Sequence, residues 1–232
     1  MVKMPKAGSL SAPKACLFDL DGLLLDTEPL QAEAWQAAAQ CFNGSLTRRQ
    51  LQQLKGRRRD DNADLVCSWL QQPVTAKELL SARQPIAKRL VATALAMPGA
   101  ENLIRFCSTQ RLPMVLVTSS DEVSFQHKAS GHPWLNLIET RVLGDDSELR
   151  TGKPAPDPFL LACEKLRVPS DECWAFEDSR AGCQSALEAG CWVWHLVTEA
   201  NQPDLFQHSR LATISSLSEG EEHLRQSLNT SG

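Results

Sequence analysis

Apolar residues along this chain collect in short, nearly unbroken runs separated by longer stretches of helical pattern. The runs are "KACLFDL" (14–20), "LPMVLVTSS" (112–120), "ECWAFED" (172–178) and "CWVWHLV" (191–197), with "RVLG" (141–144) as a shorter fifth. They do not alternate cleanly between apolar and polar, which predicts strands covered on both faces, as in a parallel sheet. Helical patterns lie between them. "PGAENLIRFCSTQ" (98–110) precedes the second run and "DPFLLACEKL" (157–166) the third. "SRAGCQSALEAG" (179–190) follows the third, with Ser179 placed as N-cap and Gly190 just past the end. This strand–helix alternation predicts an α/β fold, a doubly wound parallel sheet of Rossmann-like type.

The interval between the first two strands is too long for one crossover. Residues 28–97 read as helical throughout: "PLQAEAWQAAAQCF", "TRRQLQQLKG", "RDDNADLVCSWLQQ" and "TAKELLSARQPIAKRLVATALA". They predict an inserted α-helical domain. The core is then 14–27 together with 98–232, and 1–13 is a flexible leader. The 232 residues suffice for a core plus a small insertion. Past about residue 198 the pattern assigns neither element nor chemistry.

Polar residues cluster where the predicted strands end. Asp19 and Asp21 close the first, Thr118 and Ser119 the second, Glu177 and Asp178 the third, and Lys153 sits in the loop "TGKPAPDPF". Ligands of open parallel sheets bind beyond the carboxyl ends of the strands, so these distant clusters can meet at one mouth. Asp19 and Asp21, two apart, point the same way in an extended segment. Gly22 permits the tight turn after them. Burying several carboxylates is expensive unless a cation offsets them. Mg²⁺ takes oxygen ligands and keeps several waters, so two carboxylates and a backbone carbonyl suffice. One Mg²⁺, one lysine and a hydroxyl around a free carboxylate make a site for a phosphoryl group. Asp26 and Thr27 read differently, as a cap for the helix that follows.

"DLDGLLLDT", "VTSS", "GKPAPDPF" and "EDSRAG" resemble the four ordered motifs of the haloacid dehalogenase superfamily. The helical insertion after the first motif resembles the cap of its β-phosphoglucomutase-like phosphatase group. The resemblance implies a phosphatase acting through an aspartyl-phosphate. Asp19 is then the nucleophile, and Asp21 the general acid and base, its pKa raised by its surroundings. Thr118 and the Ser119 N–H hold phosphoryl oxygens, and Lys153 neutralises charge. Mg²⁺ is ligated by Asp19, the Asp21 carbonyl and Asp178, with Glu177 bound directly or through water. "LKGRRRDD" resembles the specificity loop of the mutase-like group, making Lys55, Gly56 and Arg59 the substrate-binding candidates. Trp35 and Trp69 read as cap core. Gln31 stands where the mutases carry a histidine. Gln cannot titrate, so hydrolysis of a sugar phosphate is favoured over a phosphomutase, with phosphoglycolate a lesser candidate substrate.

Composition narrows this little. A net charge of −4 gives no global basic field for nucleic acid or an anionic membrane. No apolar run suits a signal peptide or a membrane helix, so a cytoplasmic location is expected. The eight cysteines lack C-x-x-C spacing and read as reduced core thiols; the five histidines show no metal spacing. A small phosphorylated molecule is the expected partner, bound by a monomer or weak homodimer.

Overall fold

The computed structural model describes residues 10–54, 59–198 and 207–230. The chain begins with β1 (Ala15–Phe18), β2 (Leu25–Asp26) and the helices α1 (Glu28–Gln40), α2 (Arg48–Gln53), α3 (Arg59–Trp69) and α4 (Ala76–Val91). Then come β3 (Leu95–Ala96), α5 (Ala100–Thr109), β4 (Met114–Val117), α6 (Glu122–Ala129) and β5 (Thr140–Val142). The last third is α7 (Asp157–Leu166), β6 (Cys173–Glu177), α8 (Arg180–Ala189), β7 (Trp192–Leu196), β8 (Leu211–Ile214) and α9 (Leu217–Thr230).

Six strands form one parallel sheet in the order β5-β4-β1-β6-β7-β8. The period of two along each strand divides two cores. Ala15 and Leu17 of β1 face Val115, Val117, Ala175 and Val193, under α7 and α8. Cys16 and Phe18 face Met114, Leu116, Trp174, Phe176 and Trp194, under α5 and α9. Phe18 stacks on Phe176 at 5.1 Å between ring centroids. Both rings are fully buried, and burial of such a side chain contributes about 1.5–3 kcal/mol. Two buried faces explain why these strands read as continuous apolar runs.

β1 is central, flanked by β4 and β6. The chain winds from β1 out to β5, then returns to β6 on the other side, so its direction reverses at β1. Ligands of such sheets lie at this reversal, beyond the strand ends.

The four helices α1–α4 pack about their own core of Trp35, Ala38, Ala39, Leu46, Leu54, Ala63, Val66 and Leu79. Thr47 and Thr75 open α2 and α4 with reciprocal capping boxes to Gln50 and Glu78. Trp35 is core, as expected, and Trp69 packs against it half-buried. Six of the eight cysteines are buried, in keeping with the core reading.

Four features depart from the sequence pattern. The helical reading through Ala96 stops at Val91, and Leu95–Ala96 instead pairs antiparallel with Leu25–Asp26 in a two-stranded ribbon below α1 and α4. Thr27 sits at the N-cap position of α1 but makes no capping bond, because its hydroxyl donates to Asp21. Helix α6 lies after β4, where no helix was expected. Beyond residue 206, β8 completes the sheet and α9 covers it; the alternating half-buried pattern of "LATI" marks an edge strand.

Candidate active site

Asp19 follows the last residue of β1, Thr118 the last of β4, and Glu177 ends β6 with Asp178 next. Lys153 joins all three strand ends. Its Nζ donates to Asp19 Oδ1 at 2.6 Å, to the Val117 carbonyl at 2.8 Å and to Glu177 Oε1 at 2.6 Å. Three contacts use the three protons of an ammonium. Burial alone would lower the Lys153 pKa, but the Asp19 and Glu177 carboxylates outweigh it and hold the lysine charged.

One lysine does not balance this site. Oxygens of Asp19, Glu177 and Asp178 lie within 4.8 Å of one another, and all three residues are buried. Burial pushes Asp19 up to about 7, against the opposing pull of Lys153, with the Glu177 and Asp21 charges adding to the rise. Burial and the charges of Asp19 and Glu177 raise Asp178 likewise. Such oxygen donors suit a hard divalent cation. The backbone is cut to fit them. A Cβ at Gly22, where φ is +87°, would stand 2.1 Å from Asp178 Oδ2. A Cβ at Gly182 would stand 2.0 Å from the Glu177 carboxyl carbon. Ser179 donates to Glu177 Oε2 at 3.2 Å while capping α8 through the Gly182 N–H.

Asp21 lies two residues on from Asp19, directly before the tight turn that Gly22 makes. Its carboxylate is fully engaged. Oδ1 accepts from Thr27 Oγ1 at 2.8 Å and Oδ2 from Ser120 Oγ at 2.9 Å, while Lys128 Nζ stands 2.6 Å from both. These four contacts match the four lone-pair positions of a carboxylate. The expectation of a raised pKa here is wrong for this state. Burial would raise it, but the Lys128 charge and the three hydrogen-bonding partners outweigh burial and hold Asp21 below the usual carboxylate range.

Thr118 is buried, its N–H bonded to the Val142 carbonyl and its Oγ1 accepting from the Ser120 N–H at 3.1 Å. Ser119 is exposed at the mouth. The loop after β5 passes close beneath it, since a Cβ on Gly144 would lie 2.2 Å from the Ser119 carbonyl oxygen.

On the helical side the record is mixed. Lys55 and Gly56 lie outside the described residues. Arg59 opens α3 with an exposed side chain, its Nε 3.8 Å from Asp60. Its charge reaches both Asp121 at the head of α6 and Arg83 in α4, so it stands near the interface of the two cores. Gln31 accepts from Arg83 Nη2, and that guanidinium stacks over Trp35 at 4.1 Å. Burial, with Arg59 adding, lowers Arg83 to about 10.

Lys128 and Arg83 belong to this region without a sequence motif to announce them, and Ser120 closes the "VTSS" motif, where only Thr118 and Ser119 were expected to act. The nearest signal for Lys128 is Asp121, an N-cap residue directly after "VTSS" that foretells α6.

Asp19 thus stands beside a fixed ammonium and within a cluster of three buried carboxylates. Residues 13–190 match the model of the haloacid dehalogenase-like hydrolase family, and the chain belongs to that family. It is 34% identical over 182 residues to the "Probable pseudouridine-5'-phosphatase" of Drosophila melanogaster, covering 77% of this chain and 79% of that one. It is 32% identical over 180 residues to "(DL)-glycerol-3-phosphatase 2" of Arabidopsis thaliana, covering 75% of each. Among solved structures it is similar to a HAD hydrolase, family IA, variant 3, from Entamoeba histolytica. That match has a TM-score of 0.76 and 27% identity, over 93% of this chain and 99% of the other.

Proposed function

We propose that this chain is a Mg²⁺-dependent phosphatase that hydrolyses a small phosphorylated metabolite, a sugar or polyol phosphate, through an aspartyl-phosphate on Asp19. The observation that carries the reading is the Lys153 ammonium binding Asp19, Glu177 and the end of β4 together, beside a three-carboxylate cluster. The phosphatase names of the two relatives support it.

In the first step an Asp19 oxygen attacks phosphorus, and the bond from phosphorus to the substrate oxygen breaks. The departing oxygen takes a proton from Asp21. In the second step Asp21 accepts a proton from water as that water attacks phosphorus. The bond to Asp19 breaks, releasing phosphate and restoring both carboxyl groups. Asp21 must give up one of its four contacts to reach the substrate oxygen and must carry a proton in the complex, against the pull of Lys128 and its hydroxyl partners. In this reading Thr118 Oγ1 and the Ser119 N–H hold phosphoryl oxygens, and Lys153 neutralises the oxyanion.

Asp19, Asp178 and the backbone carbonyl of Asp21 are the residues that would hold Mg²⁺, with Glu177 beside them. A bound ion would supply positive charge to offset these carboxylates and to polarise a phosphoryl oxygen beside Asp19. The helices α1–α4 serve as a cap over the mouth, excluding bulk water, with Arg59, Lys55 and Gly56 contacting the rest of the substrate.

The test is phosphate release from p-nitrophenyl phosphate and glycerol 3-phosphate with Mg²⁺. Wild type should turn over both. Asp19→Asn should lose at least about 10³-fold in kcat, as expected on removing a nucleophile. Undiminished turnover in that variant would sink the mechanism.

A further inference from the structure

Lys128 is a second buried ammonium at the mouth, placed by α6 rather than by any of the four motifs. Its side chain is 4% exposed. The Asp121 side chain accepts from the Ser124 N–H and fixes the start of α6. Phe125, under the Arg141 guanidinium at 4.6 Å, anchors the inner face of the helix. Lys128, three residues on, emerges on that same face. Its Nζ meets Asp21 Oδ1 and Oδ2 at 2.6 Å each and Ser120 Oγ at 2.7 Å. Ser120 in turn donates its hydroxyl to Asp21 and its backbone N–H to Thr118.

These contacts occupy all three donors of the ammonium, so none is left to reach substrate. Lys128 differs from Lys153 in its partners: it holds Asp21 and Ser120, whereas Lys153 holds Asp19 and Glu177. We propose that Lys128 is a positioning residue: it grips the Asp21 carboxylate from the β4 side and aims it at the leaving oxygen of the substrate. The triangle of Lys128, Ser120 and Asp21 ties the first motif to the second. With Thr27 the carboxylate has one further anchor, on the opposite side, at the entry to α1. A carboxylate held only by hydroxyls can rotate about its own bond, whereas an ammonium bridging both oxygens restrains it. Geometry errors of about 1 Å cost on the order of 10²-fold in rate.

The inference rests on the phosphatase reading, in which Asp21 supplies the leaving-group proton. Its signature is dependence on the leaving group. Nitrophenolate departs without a proton, while the alkoxide of glycerol 3-phosphate needs one. Proton transfer by a positioned side chain typically contributes about 10²–10⁴-fold. Lys128→Met should lower kcat/KM, which reads only the step in which the leaving group departs and not the water step both substrates share, by about 10²-fold or more on glycerol 3-phosphate, yet by less than about 5-fold on p-nitrophenyl phosphate. Lys128→Arg should recover part of the loss.

Lys128→Met leaves Asp21 buried without its cation, so folding is controlled with the double variant Asp21→Asn/Lys128→Met, which removes both charges. If Lys128 acts through Asp21, the double variant should match Asp21→Asn alone on glycerol 3-phosphate. Equal losses on both substrates, or a further loss in the double variant, would assign Lys128 a general structural role and overturn the proposal. Wild type inactive on both substrates, or Asp19→Asn still active, would instead overturn the phosphatase reading.

Discussion

Asp19 carries a conflict in one side chain: the proposed reaction needs it ionised, and burial lifts it from 3.8 to about 7. The folded chain thus holds a proton that the unfolded chain releases between those values. The stability from this group is complete below 3.8 and is lost as pH rises through 7. In the cation-free protein, the melting temperature should fall from about pH 5 to about pH 8 more steeply in wild type than in Asp19→Asn. Mg²⁺ should restore more stability at the higher pH, where it meets ionised ligands. Thermal melts in chelator and in Mg²⁺ at the two pH values check this; parallel curves for the two proteins would count against it. At this scale the sequence was legible where a motif spoke. Asp19, Asp21, Thr118, Lys153, Glu177 and Asp178 converge from the ends of three adjacent strands and the loop bearing Lys153. Lys128 was not legible, because it lies 107 residues from the carboxylate it pairs with and a lone lysine on a short helix carries no pattern.

Helix α8 illustrates how an element serves the site. A glycine in a helix normally costs about 0.5–1 kcal/mol relative to alanine. Gly182 is the reverse case, since an added methyl would meet the fully buried Glu177 carboxyl at 2.0 Å. Glu177 cannot retreat without losing Lys153. Gly182→Ala should therefore destabilise by about 1–3 kcal/mol, several degrees of melting temperature at about 2–4 °C per kcal/mol for a chain of this size. A melting temperature that rises instead would show that Glu177 has room to move. The elements themselves were mostly readable. Helix α7 spans the residues of the predicted "DPFLLACEKL", and Ser179 and Gly190 bound α8 as their chemistry dictates. Two of the misreadings share a cause. The ribbon of Leu25–Asp26 with Leu95–Ala96 consists of two-residue strands joined only by tertiary contact, and β8 is an edge strand with just two buried residues. Periodicity needs more length than either offers.

The whole molecule joins a sheet with its buried carboxylates and Lys153 at the central strands to a separately cored helical unit, through two short connections at Asp26 and Ala96. Asp21 touches both parts, through Lys128 and Ser120 on one side and Thr27 on the other. The fold class could be read from the pattern because the four inner strands, β4, β1, β6 and β7, are buried on both faces. What the helical unit recognises could not, since facing across an interface has no periodic signature. Arg59 stands where its charge reaches Asp121. Arg59→Ala should raise KM for glycerol 3-phosphate and hexose phosphates by about 3–10-fold, the value of one exposed charged contact, and leave p-nitrophenyl phosphate nearly unchanged. Identical profiles for variant and wild type would remove Arg59 from substrate recognition.

The central claim, covalent catalysis at Asp19, is tested most directly by trapping. Enzyme quenched during turnover of p-nitrophenyl phosphate with Mg²⁺ and reduced with borohydride converts an acyl phosphate to homoserine, which peptide mass spectrometry locates. The account predicts homoserine at position 19 and nowhere else, and none in Asp19→Asn. Homoserine at another aspartate, or full turnover with none at position 19, would contradict it.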